Sequence, residues 1–182
     1  LPAHSKTRAA SYQRRGSPLW AAVPADDFEP PQIFGQYPQG FVPWACRAMG
    51  VNRASVVHVC SGALPPGEGL RIDIEPSRRP DLIANGARLP LASGSVDAVM
   101  CDPPYTEDYA RDLYGTAYPR PAHLCAEAIR VLRPGGVLGF LHFIVPIFRG
   151  DASIERIYGV TQGAGYRARA FTVIRKKQER LL

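Results

Sequence analysis

The chain lacks several features that would each have fixed its class. No apolar run in its 182 residues approaches the roughly 20 that carry a helix across a bilayer, and the N-terminus has no hydrophobic centre of a secretory signal. A soluble, cytoplasmic protein with no membrane partner is expected. Cysteine is sparse: Cys46, Cys60, Cys101 and Cys125 are widely spaced with no CxxC pair, which argues for reduced, packed thiols rather than a disulfide frame or a zinc site. His4, His58, His123 and His142 form neither HxH nor HExxH, so no protein-bound metal is expected. GxGxxG and the phosphate-binding GxxxxGKS/T are also missing, which counts against a dinucleotide oxidoreductase or a P-loop enzyme. Acids are absent before Asp26, where Lys6, Arg8, Arg14 and Arg15 lie, and the C-terminal stretch sets Arg167, Arg169, Arg175, Lys176, Lys177 and Arg180 against Glu179 alone. Such ends suit a polyanionic partner, or are solvated basic tails.

Apolar residues make up 46% of the chain, enough to fill the core of one domain. The chain begins at Leu1 and is read as trimmed or partial. Residues 1–43, rich in Pro, Gln, Ser and Arg, are expected to form an irregular basic arm, with the domain proper at 44–182. WACRAMG reads as a short helix ended by Gly50. From Ser55 the strands SVVHVC, LRIDI and SVDAVMC follow one another, then the helix HLCAEAIRVLR, stopped by Pro134-Gly135-Gly136, and the strand GVLGFLHFIV. ASIERIYGVTQGAGY reads as a helix and ARAFTVIRK as a closing strand. Near-continuous apolar strands joined by helices or long crossovers predict an α/β fold with a doubly wound, mostly parallel sheet. In such sheets ligands sit outside the carboxyl ends of the strands.

Three strand ends therefore matter. CSGALPPGEG follows the first, and Gly62 there permits close backbone approach or simply turns the chain. Asp73 ends the second, where an acid can accept from both hydroxyls of a ribose, or else pair with Arg78 or Arg79. Asn85 follows, able to face an adenine or to make an Asn-Gly turn. The third strand runs into CDPPY. Two prolines make this loop rigid, and a rigid loop can hold two acceptors, the Asp102 carboxylate and the Pro103 carbonyl, at the spacing of the two N–H bonds of an aromatic amine. Such an amine is a poor nucleophile because its lone pair is delocalised. Acceptors drawing on its hydrogens localise that pair, and Tyr105 offers a face for the flat base.

CDPPY resembles the catalytic motif of amino-methyltransferases, class I S-adenosylmethionine-dependent enzymes that methylate adenine N6 or cytosine N4. RVLRPGG and ANGARLPLASGSVDAV resemble segments common to class I methyltransferases, and the likeness spans roughly residues 37–176. It implies a Rossmann-like fold, S-adenosylmethionine as cofactor, and nucleic acid, DNA first, as partner. Residue by residue, it implies a catalytic site at Asp102, Pro103, Pro104 and Tyr105. For the cofactor it implies Ser61, Gly62, Asp73, Ile74, Asn85, Gly86 and Asp102, with Tyr37 and Pro38 of YPQGF at its methionine end. The first loop departs from the family: His58 stands for its acid, Cys60 for its first glycine and Leu64 for its third. His58 and Cys60 are carried as cofactor-loop positions all the same. Within TEDYARDLYGTAYPRP, Tyr109 and Arg111 are substrate-binding candidates on a lid, while Tyr114 and Tyr118 are read as packing on the sheet. The motif reads an amine and not the polymer behind it, so cytosine N4, an RNA base and a protein amide stay open, as does a non-catalytic nucleic-acid-binding subunit. Oligomeric state is not legible.

Overall fold

The apolar runs become strands of one seven-stranded sheet in a computed structural model that describes residues 37–148 and 150–178. The arm expected over residues 1–43 lies, up to residue 36, outside the described residues. The strands are β1 (Val56–Val59), β2 (Leu70–Asp73), β3 (Leu82–Ile83), β4 (Val96–Cys101), β5 (Leu132–His142), β6 (Ala152–Val160) and β7 (Arg169–Lys176). Their spatial order is β3-β2-β1-β4-β5-β7-β6, and β1 to β5 pair in parallel. Only β7 runs against its neighbours. The order of successive strands therefore reverses between β1 and β4, and the crevice that this opens lies at their carboxyl ends, beside Cys60 and Asp102.

One helix covers each face. On one side α1 (Phe41–Met49) buries Phe41, Val42, Ala45, Cys46 and Met49 against Val56, Ala98, Met100, Val137 and Phe171. It starts three residues before the expected Trp44, because Gly40 at φ 72° starts the turn and Phe41 supplies an apolar anchor. Gly50 ends it as expected, at φ 70° with its N–H donated to the Arg47 and Cys46 carbonyls. On the other side α3 (Pro121–Val131) packs Leu124, Cys125, Ala128 and Ile129 on Val57, Val59, Ile72, Val99 and Leu138. A shorter helix, α2 (Glu107–Tyr114), is capped by the Thr106 hydroxyl, which accepts from the Tyr109 N–H.

Two local expectations are corrected. The segment read as a helix from Ala152 is the edge strand β6. Ile154 and Ile157, three apart, suggest helical spacing, but a bulge between Ile154 and Arg156 inserts one residue, so both isoleucines face the same side, opposite Ile174 and Thr172. The second correction concerns α3, which begins at Pro121 in the first turn and stops at Val131, before Pro134-Gly135-Gly136. Leu132 is already extended and pairs with Val96, so the Pro-Gly-Gly stretch forms an irregularity inside β5 rather than the helix stop. No helix among the described residues is long and apolar enough to cross a membrane.

Candidate active site

Cys60 leaves β1 with φ 56° and Gly62 follows at φ 54°, so a cysteine adopts the left-handed conformation that favours glycine. The loop thus keeps a glycine-like path without the glycine. Its position is fixed from the next strand: Asp73, 5% exposed, accepts the Gly62 N–H on Oδ2 at 2.7 Å and the Glu75 N–H on Oδ1 at 3.0 Å. The expected alternative pairing of Asp73 with Arg78 or Arg79 is not formed among the described residues.

These strand ends enclose a cavity of about 250 Å³. Its floor and walls include Cys60, Asp73, Ile74, Asn85, Gly86, Asp102 and Pro104, seven of the residues singled out from the sequence. Gly86 is needed there for space, since a Cβ would lie 2.6 Å from Val59 Cγ1 and 2.9 Å from Leu124 Cδ2. Asn85 turns its Oδ1 to the Ala87 N–H, so the turn geometry is real and coexists with a place on the wall. Another wall comes from the end of α2 and the segment after it: Tyr114, Thr116, Ala117, Tyr118, Pro119 and Arg120. Tyr114 and Tyr118 were expected only to pack on the sheet; both line the cavity.

The remaining sequence candidates sit elsewhere. His58 is fully buried, its Nε2 2.8 Å from the Glu68 carbonyl and its Nδ1 3.5 Å from the Tyr37 hydroxyl, and burial pushes its pKa down to about 4. It braces the loop as a neutral side chain and does not line the cavity. Tyr37 stacks on Phe41 and lies within the field of Asp102, and burial followed by that carboxylate raises its hydroxyl pKa well above the ordinary value. The Pro38 carbonyl accepts the Phe41 N–H at the start of α1. Ser61 is buried, and its hydroxyl has no hydrogen-bond partner among the described residues. Tyr109 is 42% exposed, and Arg111 is held by Asp108 and Asp112 on the outer side of α2.

Beyond the cavity mouth, Tyr105 donates its hydroxyl to Asp102 Oδ1 and receives Arg169 Nη1 at 2.9 Å. Its ring meets His142 edge-on at 5.4 Å and Phe143 at 4.6 Å. The Tyr118 hydroxyl bridges the Tyr105 carbonyl and His142 Nε2, both at 3.4 Å. Burial raises the Asp102 pKa to about 7, with the Tyr105 hydroxyl and Arg169 opposing that rise. Arg169 enters from 64 residues away because β7 runs antiparallel and begins at the site end of the sheet. Spacing along the sequence could not have placed it there.

No protein family's sequence profile matches the chain, and no curated protein matches it. Solved structures do. The (4+2)-cyclase SpnF superposes at 13% identity over 76% of this chain and 80% of its own, with TM-score 0.53. The protein yhhF of Escherichia coli, assigned as a methyltransferase, does so at 10% identity over 81% and 91%, with TM-score 0.52. A Bacillus halodurans C-125 protein, also assigned as a methyltransferase, follows at 11% over 75% and 98%, with TM-score 0.51. The chain has the Rossmann-like class I methyltransferase fold. That the same class I methyltransferase fold serves a cyclase means that the fold does not choose the reaction, and the site must argue for its own chemistry. Among the described residues, no group of three or more His, Cys, Asp or Glu side chains is arranged to hold a metal ion.

Proposed function

We propose that the protein transfers a methyl group from S-adenosylmethionine to an exocyclic base amine, adenine N6 in DNA first. The observation that carries this reading is a half-buried carboxylate, Asp102, lining a nucleoside-sized cavity and followed by two rigid prolines and an aromatic.

The residues present suit the cofactor. Asp73 spends one acceptor position of each oxygen on backbone N–H groups, and each oxygen keeps a second for a ribose hydroxyl. Asn85, Gly86 and Ala87 offer a flat strip for an adenine, and Gly86 keeps that strip low. Cys60 and Gly62 hold the loop in the left-handed path that brings backbone close to a ligand. When bound, S-adenosylmethionine supplies an activated methyl group. Asp102 and the Pro103 carbonyl accept the two amine hydrogens and localise the nitrogen lone pair. The Tyr105 hydroxyl donates to Asp102 Oδ1 and accepts from Arg169, which leaves Asp102 further acceptor positions for the amine, and the Tyr105 ring borders the base. The proton lost after transfer passes to Asp102 or to water, because the methylated amine cation is acidic.

The test is incubation with unmodified DNA and methyl-labelled S-adenosylmethionine, then digestion to nucleosides and mass spectrometry. Labelled N6-methyladenine is expected. N4-methylcytosine, a labelled RNA base or a labelled protein amide would each change the acceptor and keep the chemistry, and no labelled product from any of these polymers overturns the reading.

Transfer should also depend on pH through Asp102. The ionised carboxylate is the better acceptor, so the single-turnover rate is expected to be flat above about pH 7 and to fall towards tenfold per unit below it. Stability moves in the opposite direction. The folded pKa lies above the ordinary 3.8, so between about pH 4 and 7 the folded protein holds more protons at this site than the unfolded chain. The contribution of Asp102 to stability is therefore greatest at the acid end and declines as pH rises to 7.

A further inference from the structure

Two aromatic–arginine pairs stand side by side next to Asp102. The Arg169 guanidinium carbon lies 5.8 Å from the centre of the Tyr105 ring, and that of Arg167 lies 5.8 Å from the centre of the Phe143 ring. The two rings are 4.6 Å apart, tilted by 45°. Phe143 opens the loop after β5, and the two arginines close the loop into β7. Both loops lie at the site end of the sheet, since His142 pairs with Ala170. Neither 143–148 nor 161–170 contains an acid. Around the pairs, Ile144, Val145, Ile147 and Tyr166 are 52%, 38%, 87% and 63% exposed. Apolar side chains and arginines in one patch, with aromatic rings in its centre, match a strand that offers base faces and phosphates together.

We propose that this surface binds an unpaired polynucleotide strand, its phosphates at Arg167 and a base beside Phe143, so that the acceptor amine is presented from single-stranded nucleic acid. The proposal rests on reading Asp102 to Tyr105 as the acceptor site. A duplex fits the surface poorly. Base faces are free to meet Phe143 and the isoleucines only where the strand is not stacked in a helix. The exposed helix at this end, α2, carries Glu107, Asp108 and Asp112 against Arg111 alone, and Arg111 is already held by two of these acids. Its charge would repel the phosphates of a second strand, leaving the basic path one strand wide.

The experiment measures fluorescence anisotropy of the whole chain with a labelled 12-nucleotide DNA strand, the RNA strand of the same sequence, and the DNA duplex, over a range of salt. Either single strand should bind at least tenfold more tightly than the duplex, and whichever of the two binds better names the sugar. Phe143→Ala should weaken strand binding about tenfold or more. Arg167→Ala should lower the salt slope by about 0.7, one single-strand phosphate contact, with melting temperature unchanged because the side chain is exposed. Equal or tighter duplex binding, or strand binding indifferent to both substitutions, overturns the proposal. Methyl transfer is scored separately. Strand binding without any labelled product leaves this surface standing and removes the transfer reading. Transfer to duplex without a strand preference does the reverse.

Discussion

Asp102→Ala is expected to lower the single-turnover rate of methyl transfer by about two to three orders of magnitude, with S-adenosylmethionine affinity within about threefold of the parent. The carboxylate has two roles that separate in measurement. It forms one edge of the cavity, where alanine leaves the contacts from Asp73, Asn85 and Gly86 intact. It is also the acceptor of the Tyr105 hydroxyl and, in the proposed reaction, of the target amine. Only the second is lost outright. Asp102→Asn should fall between the two, since an amide keeps one acceptor oxygen but no charge. Its pH profile should be flat where the parent profile bends near 7. At neutral pH both variants should melt no lower than the parent, because a half-buried carboxylate whose ionisation is disfavoured contributes little to stability there. Equilibrium dialysis gives the affinity, quenched mixing gives the rate, and a parent-like rate in Asp102→Ala would remove Asp102 from the acceptor site.

The parts of this architecture that were legible in sequence are those in which local pattern and global position agree. The runs VVHV, LRID and VDAVMC are mostly apolar, and they lead to Cys60, Asp73 and Asp102, so the strand ends stand out in the sequence. Asp73, Asn85 and Asp102 come together because parallel strands place all their carboxyl ends on one edge. What escaped depended on geometry without a sequence signature. The β6 bulge disguised a strand as a helix, and the early pairing of Leu132 with Val96 ended α3 before its prolyl stop. His58 looked like a substitute for a ligand-binding acid, whereas its neighbours place it as a buried brace on the Glu68 carbonyl. Arg169 and His142 reach Tyr105 only through the antiparallel return of β7 and the end of β5. Tyr114 and Tyr118 reach the cavity because α2 is short: Gly115, at φ 60°, turns the chain back across the strand ends.

Asp73→Ala should produce the other large effect, on binding and stability together. The side chain is 5% exposed, and its loss removes the acceptor of the buried Gly62 N–H as well as that of the half-buried Glu75 N–H. A buried donor left without a partner costs about 1–3 kcal/mol, while water can replace much of the second bond. A melting temperature lower by about 5–10 °C follows for a domain of this size. Cofactor affinity should fall by more than this loosening explains, by about thirtyfold or more, because the ribose loses its charged acceptors. Ligand-induced stabilisation separates the two causes. Ligand at 100 times Kd stabilises the parent by about 2.7 kcal/mol. At the same concentration a variant thirtyfold weaker should gain only about 0.9 kcal/mol, roughly a third of the parent's gain. If Asp73 only anchored the loop, Asp73→Asn, which keeps one acceptor for Gly62, would recover most of the melting temperature and most of the ligand shift together. Recovery of the first without the second is the outcome expected of a residue that holds both its own loop and the cofactor's ribose.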